Sequence, residues 1–116
     1  MINEAKLEEI MMGMGFQENL SGTETLRQAV RMYRPGMSIT KELYPALAEA
    51  AGGTPSQIER RLRHSIRRAF DCAGVDVYRY FGNGINPETG VATNSLTIAR
   101  LAYLCREGEP GSEPNT

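Results

Sequence analysis

Gly52-Gly-Thr-Pro-Ser-Gln-Ile-Glu-Arg-Arg-Leu-Arg-His-Ser-Ile-Arg-Arg-Ala-Phe70 is the stretch on which the reading of this chain turns. It carries five arginines and the single histidine of the chain against one acid, Glu59. Three signals mark a helix start. Thr54 is suited to the N-cap, Pro55 to the first helical position, where its missing N–H would be unpaired anyway, and Gln57 completes a capping box. The helix is predicted to reach about Cys72 and end before Gly74. Gly52 and Gly53 let the backbone turn through positive φ just ahead of it.

At about 100° per residue, Ile58, Leu62, Ile66, Ala69 and Phe70 fall on one stripe, which is predicted to face a core. Ser56, Arg60, Arg63 and Arg67 form a second stripe. Gln57 and His64, then Arg61 and Arg68, lie further round. The polar side is therefore an arginine stripe interleaved with Ser, Gln and His. Such faces also occur merely as solvated surface, so the flanking sequence matters.

Upstream, Ser38-Ile-Thr-Lys-Glu-Leu-Tyr-Pro-Ala-Leu-Ala-Glu-Ala-Ala51 reads as a short helix. It is capped at Thr40 with Pro45 in its early turns, or else begins at Pro45. Ala48, Gly52 and Ile58 then match the small residue, turn former and buried aliphatic of a helix-turn-helix. Arg61 stands where that pattern is usually apolar, and Leu62 serves instead.

Earlier still, residues 4–12 form a helix through Leu7, Ile10 and Met11, ending at Gly13 and Gly15. Ser21 to Glu24 has capping-box spacing and opens a helix running to about Arg34, with Leu26, Val30 and Tyr33 inward. Downstream, residues 75–81 are read as a short helix, with a strand as the alternative. Residues 82–92 are a loop, or a hairpin about Asn-Gly. Thr93, Asn94 and Ser95 cap a last helix over 95–106, with Leu96, Ala99, Leu101, Tyr103 and Leu104 as apolar surface. Residues 107–116 read as a disordered acidic tail. The expectation is one all-α domain over residues 1–106.

The chain has 116 residues, 41% of them hydrophobic, and a formal charge of −1, which fits a single globular core. The acids Glu4, Glu8, Glu9, Glu107, Glu109 and Glu113 lie far along the chain from the arginine stripe. Local field, not net charge, governs what such a stripe attracts. No apolar run approaches a membrane span, and no secretory signal precedes the first helix, so a cytoplasmic location is expected. Cys72 and Cys105 form no CxxC pair, and one histidine cannot complete a zinc set. They read as reduced, buried thiols, a bridge between them being the other possibility. His64 stands among arginines, which disfavours a neutral base, and no nucleophile–base pair is visible. An enzyme is not expected, and no cofactor is called for.

Arginine reaches guanine O6 and N7 in bidentate fashion, and glutamine pairs with adenine. Residues early in a recognition helix meet base edges, and later ones meet phosphate. Ser56, Gln57 and Arg60 are accordingly assigned to bases, and Arg63 to bases or phosphate. Glu59 can accept from cytosine N4 or orient an arginine. His64, Arg67 and Arg68 are assigned to phosphate.

The segments Ile39-Thr-Lys-Glu-Leu-Tyr-Pro45, Ser56-Gln-Ile-Glu-Arg-Arg-Leu-Arg-His64 and Thr93-Asn-Ser95 occur in order. Together they resemble the C-terminal effector domain of the stage-zero sporulation master regulator, a response regulator of endospore-forming Firmicutes. The resemblance spans residues 7–106. It implies about six helices without a wing, a recognition helix in the major groove, and Thr93, Asn94 and Ser95 as a helix start on phosphate. A helix N-terminus suits an anion, though ordinary capping explains the same residues. Gln57 stands where the family commonly has a basic residue. The family also contacts RNA polymerase, through its sigma subunit, by the region after the recognition helix, here about residues 75–81. That region departs in composition, and Tyr78, Tyr80 and Phe81 read as core. Side-by-side binding of two copies on DNA is a further expectation. The chain opens at Met1 directly before the effector region, so a domain without its receiver is expected: a fragment or a standalone DNA binder. The reading is a sequence-specific DNA-binding transcription regulator. The alternative is a receiver-less interaction module that pairs with, or antagonises, a full-length relative or the polymerase.

Overall fold

The computed structural model describes residues 2–16, 21–72, 81 and 92–106. Their helices are α1 (Glu4–Gly13), α2 (Ser21–Met32), α3 (Tyr44–Ala51), α4 (Pro55–Cys72) and α5 (Asn94–Cys105), with a π-helical turn, Ile39–Leu43, leading directly into α3. Among the described residues the only β pairing is an isolated bridge between Ile2 and Arg106. The architecture is all-α, with five α-helices among the described residues, against an expectation of about six for the chain. Apart from Phe81 and Ala92, the expected 75–81 helix and 82–92 loop lie outside the described residues, as does the 107–116 tail.

The core follows from the periodic apolar positions. Leu7, Leu26, Val30, Leu43, Leu47, Ile58, Leu62, Ile98 and Leu101 are wholly buried. α4 contributes all five residues of its predicted apolar stripe to that core, and it packs chiefly against α2 and α3. Phe81 joins the core as expected, with its ring tilted against Phe70 at a centroid distance of 5.5 Å. Cys105 is buried.

Three boundaries differ from expectation. Ser21 is already helical, so it does not precede α2. Glu24 pairs instead with Arg27 at 3.4 Å and Arg31 at 3.7 Å. α2 also ends at Met32 rather than near Arg34. Ahead of α3 the cap is Ser38, not Thr40. The Ser38 hydroxyl accepts from the Lys41 amide at 3.1 Å, and Glu42 accepts from the Ser38 amide at 2.8 Å. Pro45 explains the π-turn that follows. It lacks an N–H, and its ring would crowd the carbonyl four residues back, so the chain widens there. The Leu43 amide accordingly bonds the Ser38 carbonyl, and that of Tyr44 the Ile39 carbonyl.

In α5 the buried apolar set is Ile98, Leu101, Ala102 and Cys105, at i, i+3, i+4 and i+7. Leu96, expected in the apolar face, falls off that stripe and is 37% exposed.

Candidate nucleic-acid interface

The turn between α3 and α4 is built from Gly52 at φ 83° and Gly53 at φ 111°, a region that side chains disfavour. Gly53 has a second reason to be glycine, since a Cβ there would lie 2.6 Å from Gln57 Oε1. That oxygen accepts from the Thr54 amide at 2.9 Å, while the Gln57 amide donates to Thr54 Oγ1 at 3.2 Å. The predicted capping box is thus formed in both directions. Ala48 and Ile58 are buried on either side of the turn, completing the helix-turn-helix packing.

With its apolar stripe inward, α4 presents Ser56, Gln57, Arg60, Arg63, His64, Arg67 and Arg68 as exposed residues, and Glu59 and Arg61 as half-buried ones. Two adjoining clefts run beside it. One, of about 450 Å³, is lined by Glu59, Arg63 and Arg67 of α4, Thr93, Asn94 and Ser95 at the start of α5, and Thr40 and Tyr44. The other, of about 440 Å³, shares Thr40, Tyr44, Glu59 and Arg63 and continues past Pro55, Ser56 and Arg60. The fold therefore brings Ser56, Glu59, Arg60, Arg63 and Arg67 together with residues 93–95. Gln57, His64 and Arg68 lie outside these clefts, further round α4.

Glu59 holds Arg63. Both carboxylate oxygens accept from the same guanidinium nitrogen, at 2.7 and 3.0 Å. The pair is one helical turn apart and partly exposed, so it is worth only about 0.3–0.5 kcal/mol of stability. Its effect is directional: it draws Arg63 back along the cleft wall. Among the described residues no carboxylate pairs with Arg60, Arg67 or Arg68.

At the start of α5, Thr93 Oγ1 accepts from the Leu96 amide at 3.1 Å, and the Thr93 carbonyl accepts from the Thr97 amide at 2.9 Å. Capping is thus the work of Thr93. The amides of Asn94 and Ser95 are among the first of the helix and have no intrahelical acceptor. Asn94 was expected on phosphate, but its side chain is turned inward. Its Nδ2 donates to the Tyr44 hydroxyl at 3.2 Å and to the Glu59 carbonyl at 3.0 Å. Tyr44 was not singled out in the sequence. Its partner Asn94 lies 50 residues away, and its neighbours Leu43 and Leu47 mark it as core. Burial pushes the Tyr44 phenol upward, opposed by the hydrogen bond from Asn94.

Residues 7–104 match the protein family described as "Sporulation initiation factor Spo0A C terminal". The match covers α1 from Leu7 and reaches nearly to the end of α5, so it takes in the turn, the arginine face and the 93–95 segment. No helix among the described residues is long and apolar enough to cross a membrane.

Proposed function

The chain belongs to the Spo0A C-terminal family of sporulation initiation factors, DNA-binding effector domains of transcription regulation, and from that premise we propose that it is a sequence-specific regulator that lays α4 in the major groove. The observation that carries this reading is the division of α4. One stripe is buried in the core, and the opposite side exposes Arg60, Arg67 and Arg68, which lack carboxylate partners among the described residues. Ser56 and Arg60, near the N-terminus of the helix, meet base edges. Arg63 and Glu59 act there as a linked pair. Gln57 reaches a base only by leaving its capping bond. His64, Arg67 and Arg68 meet phosphate, as do Thr93, Ser95 and the first amides of α5. Two copies side by side on neighbouring boxes, and contact with the polymerase sigma subunit, extend the proposal on the strength of the resemblance.

Selection from randomised duplexes by the purified protein tests it. A defined box should emerge. Arg60→Ala should cost about 1–3 kcal/mol on that box and relax preference at one position, whereas Arg68→Ala should weaken all duplexes alike and lower the salt slope by about one. Unchanged preference in Arg60→Ala would remove that residue from base readout, and failure to enrich any box would sink the proposal.

A further inference from the structure

Asn94 sits where three elements meet. An amide nitrogen has two hydrogens, and here one goes to Tyr44 on α3 and the other to the backbone of Glu59 on α4, while the residue itself opens α5. The Glu59 carbonyl lies on the turn that displays Arg60 and Arg63, and the Glu59 side chain holds Arg63 at 2.7 Å. In helix geometry that carbonyl also accepts from the Arg63 amide, and its second lone pair is the one Asn94 uses. Tyr44 is 6% exposed and reaches the clefts only at its rim, so it serves as an anchor from within the core.

Resting on the DNA reading above, we infer that Asn94 is a positioning residue that fixes the start of α5 against the arginine-bearing turn of α4. Phosphate-facing amides at 94 and 95 and base-facing side chains at 56 and 60 then meet one duplex in a single register. A direct phosphate contact by the Asn94 side chain would need the same Nδ2 hydrogens that Tyr44 and Glu59 already take. Capping does not need it, since Thr93 does that. The consequence is a coupling between backbone grip and base readout. Without the brace, Arg67 and Arg68 still attract DNA, but the two contact sets no longer share a register.

A thermodynamic cycle of Asn94→Ala, Tyr44→Phe and the double variant tests this. Each is measured at one salt concentration against the selected box and against an unrelated duplex, after circular dichroism has shown it folded. Asn94→Ala should cut the ratio of the two affinities by about tenfold, the scale of two lost neutral hydrogen bonds. Tyr44→Phe, which removes one hydroxyl from an anchor, should cut the same ratio by a smaller factor. The double variant should be no worse than Asn94→Ala, because both changes break one brace. Equal weakening of both duplexes by Asn94→Ala, with Tyr44→Phe silent, would make Asn94 a direct phosphate contact and overturn the inference alone. Wild-type protein that fails to discriminate any duplex would overturn the DNA reading and this inference with it.

Discussion

Gly22 decides how closely α2 approaches α4. A Cβ at this position would lie 2.6 Å from Ser65 Cβ and 2.7 Å from the Arg61 carbonyl. A backbone oxygen cannot rotate away, so relief requires the helices to part. Beside this crossing, the hydroxyls of Thr23 and Ser65 face each other at 3.5 Å, both buried. Alanine would gain about 1 kcal/mol of helix propensity over glycine, but overpacking a close contact costs about 1–3 kcal/mol. Overpacking should win where one of the clashing atoms is backbone. Gly22→Ala is therefore expected to destabilise by about 1–2 kcal/mol, seen as a lower urea midpoint at unchanged slope. Because Arg61 and Ser65 lie on α4, the same change should shift the arginine face and weaken duplex binding beyond the loss of folded protein.

At the scale of elements, α4 is the helix whose start the sequence specifies best, and the structure shows why. Thr54 and Gln57 satisfy two orphan amides reciprocally, at 3.2 and 2.9 Å, in a turn exposed to solvent. Thr54→Ala is expected to cost about 1 kcal/mol. Gln57→Glu should cost nothing or stabilise slightly, since it keeps the acceptor and adds a negative charge at a helix N-terminus. Thermal unfolding of the two variants checks the pair, and a large loss in Gln57→Glu would deny Gln57 its capping role. Such local signals made much of the fold legible. The stripe from Ile58 to Phe70, the Gly52-Gly53 turn and the Thr93 cap all depend on residues within a few positions of one another. What escaped the sequence depends on distance or on competition. Ser38 displaced Thr40 as a cap because Pro45 widened the turn behind it. Leu96 is hydrophobic, yet the Ile98, Leu101, Ala102, Cys105 period assigns it outward. The Tyr44, Asn94 and Glu59 brace joins residues 35 and 50 positions apart, and no spacing rule reaches that far. For the site, residue type and helical phase sufficed to collect the arginines, but not to tell which polar side chains are already committed within the protein.

Across the whole molecule the charges are sorted, which is how a chain of formal charge −1 can carry a strongly basic face. Two acids of α1, Glu4 and Glu8, are directed at α2. Glu8 accepts from Arg27 at 2.9 Å and Glu4 from Arg31 at 2.8 Å. The Ile2–Arg106 bridge and the bond from the Asn3 amide to the Cys105 carbonyl, 2.7 Å long, tie the same helix to the end of α5. α1 is thus part of the domain, clamped by ion pairs on one side and by backbone on the other. Hydrogen bonding to Arg31 holds the Glu4 carboxyl below the ordinary glutamate range, and hydrogen bonding to Arg27 does the same for Glu8. A depressed carboxylate pKa contributes stability above its unfolded value, about 4.3, and loses it as pH falls through the folded value. Stability should therefore be level from neutrality to about pH 5 as far as these groups are concerned, then decline below about pH 4. Both glutamates are more than a third exposed, so solvent screening limits each to under about 1 kcal/mol. Glu8 should matter more, because its partner Arg27 is only 11% exposed. Urea unfolding of the Glu4→Gln and Glu8→Gln double variant at pH 7 and pH 3.5 measures the effect. The variant should be less stable than the parent at pH 7, and the gap should be smaller at pH 3.5, where the parent has begun to lose the contribution of these carboxylates. A gap that stayed constant between the two pH values would show that the glutamates act through packing rather than charge, and that α1 is held to α2 by its apolar face alone.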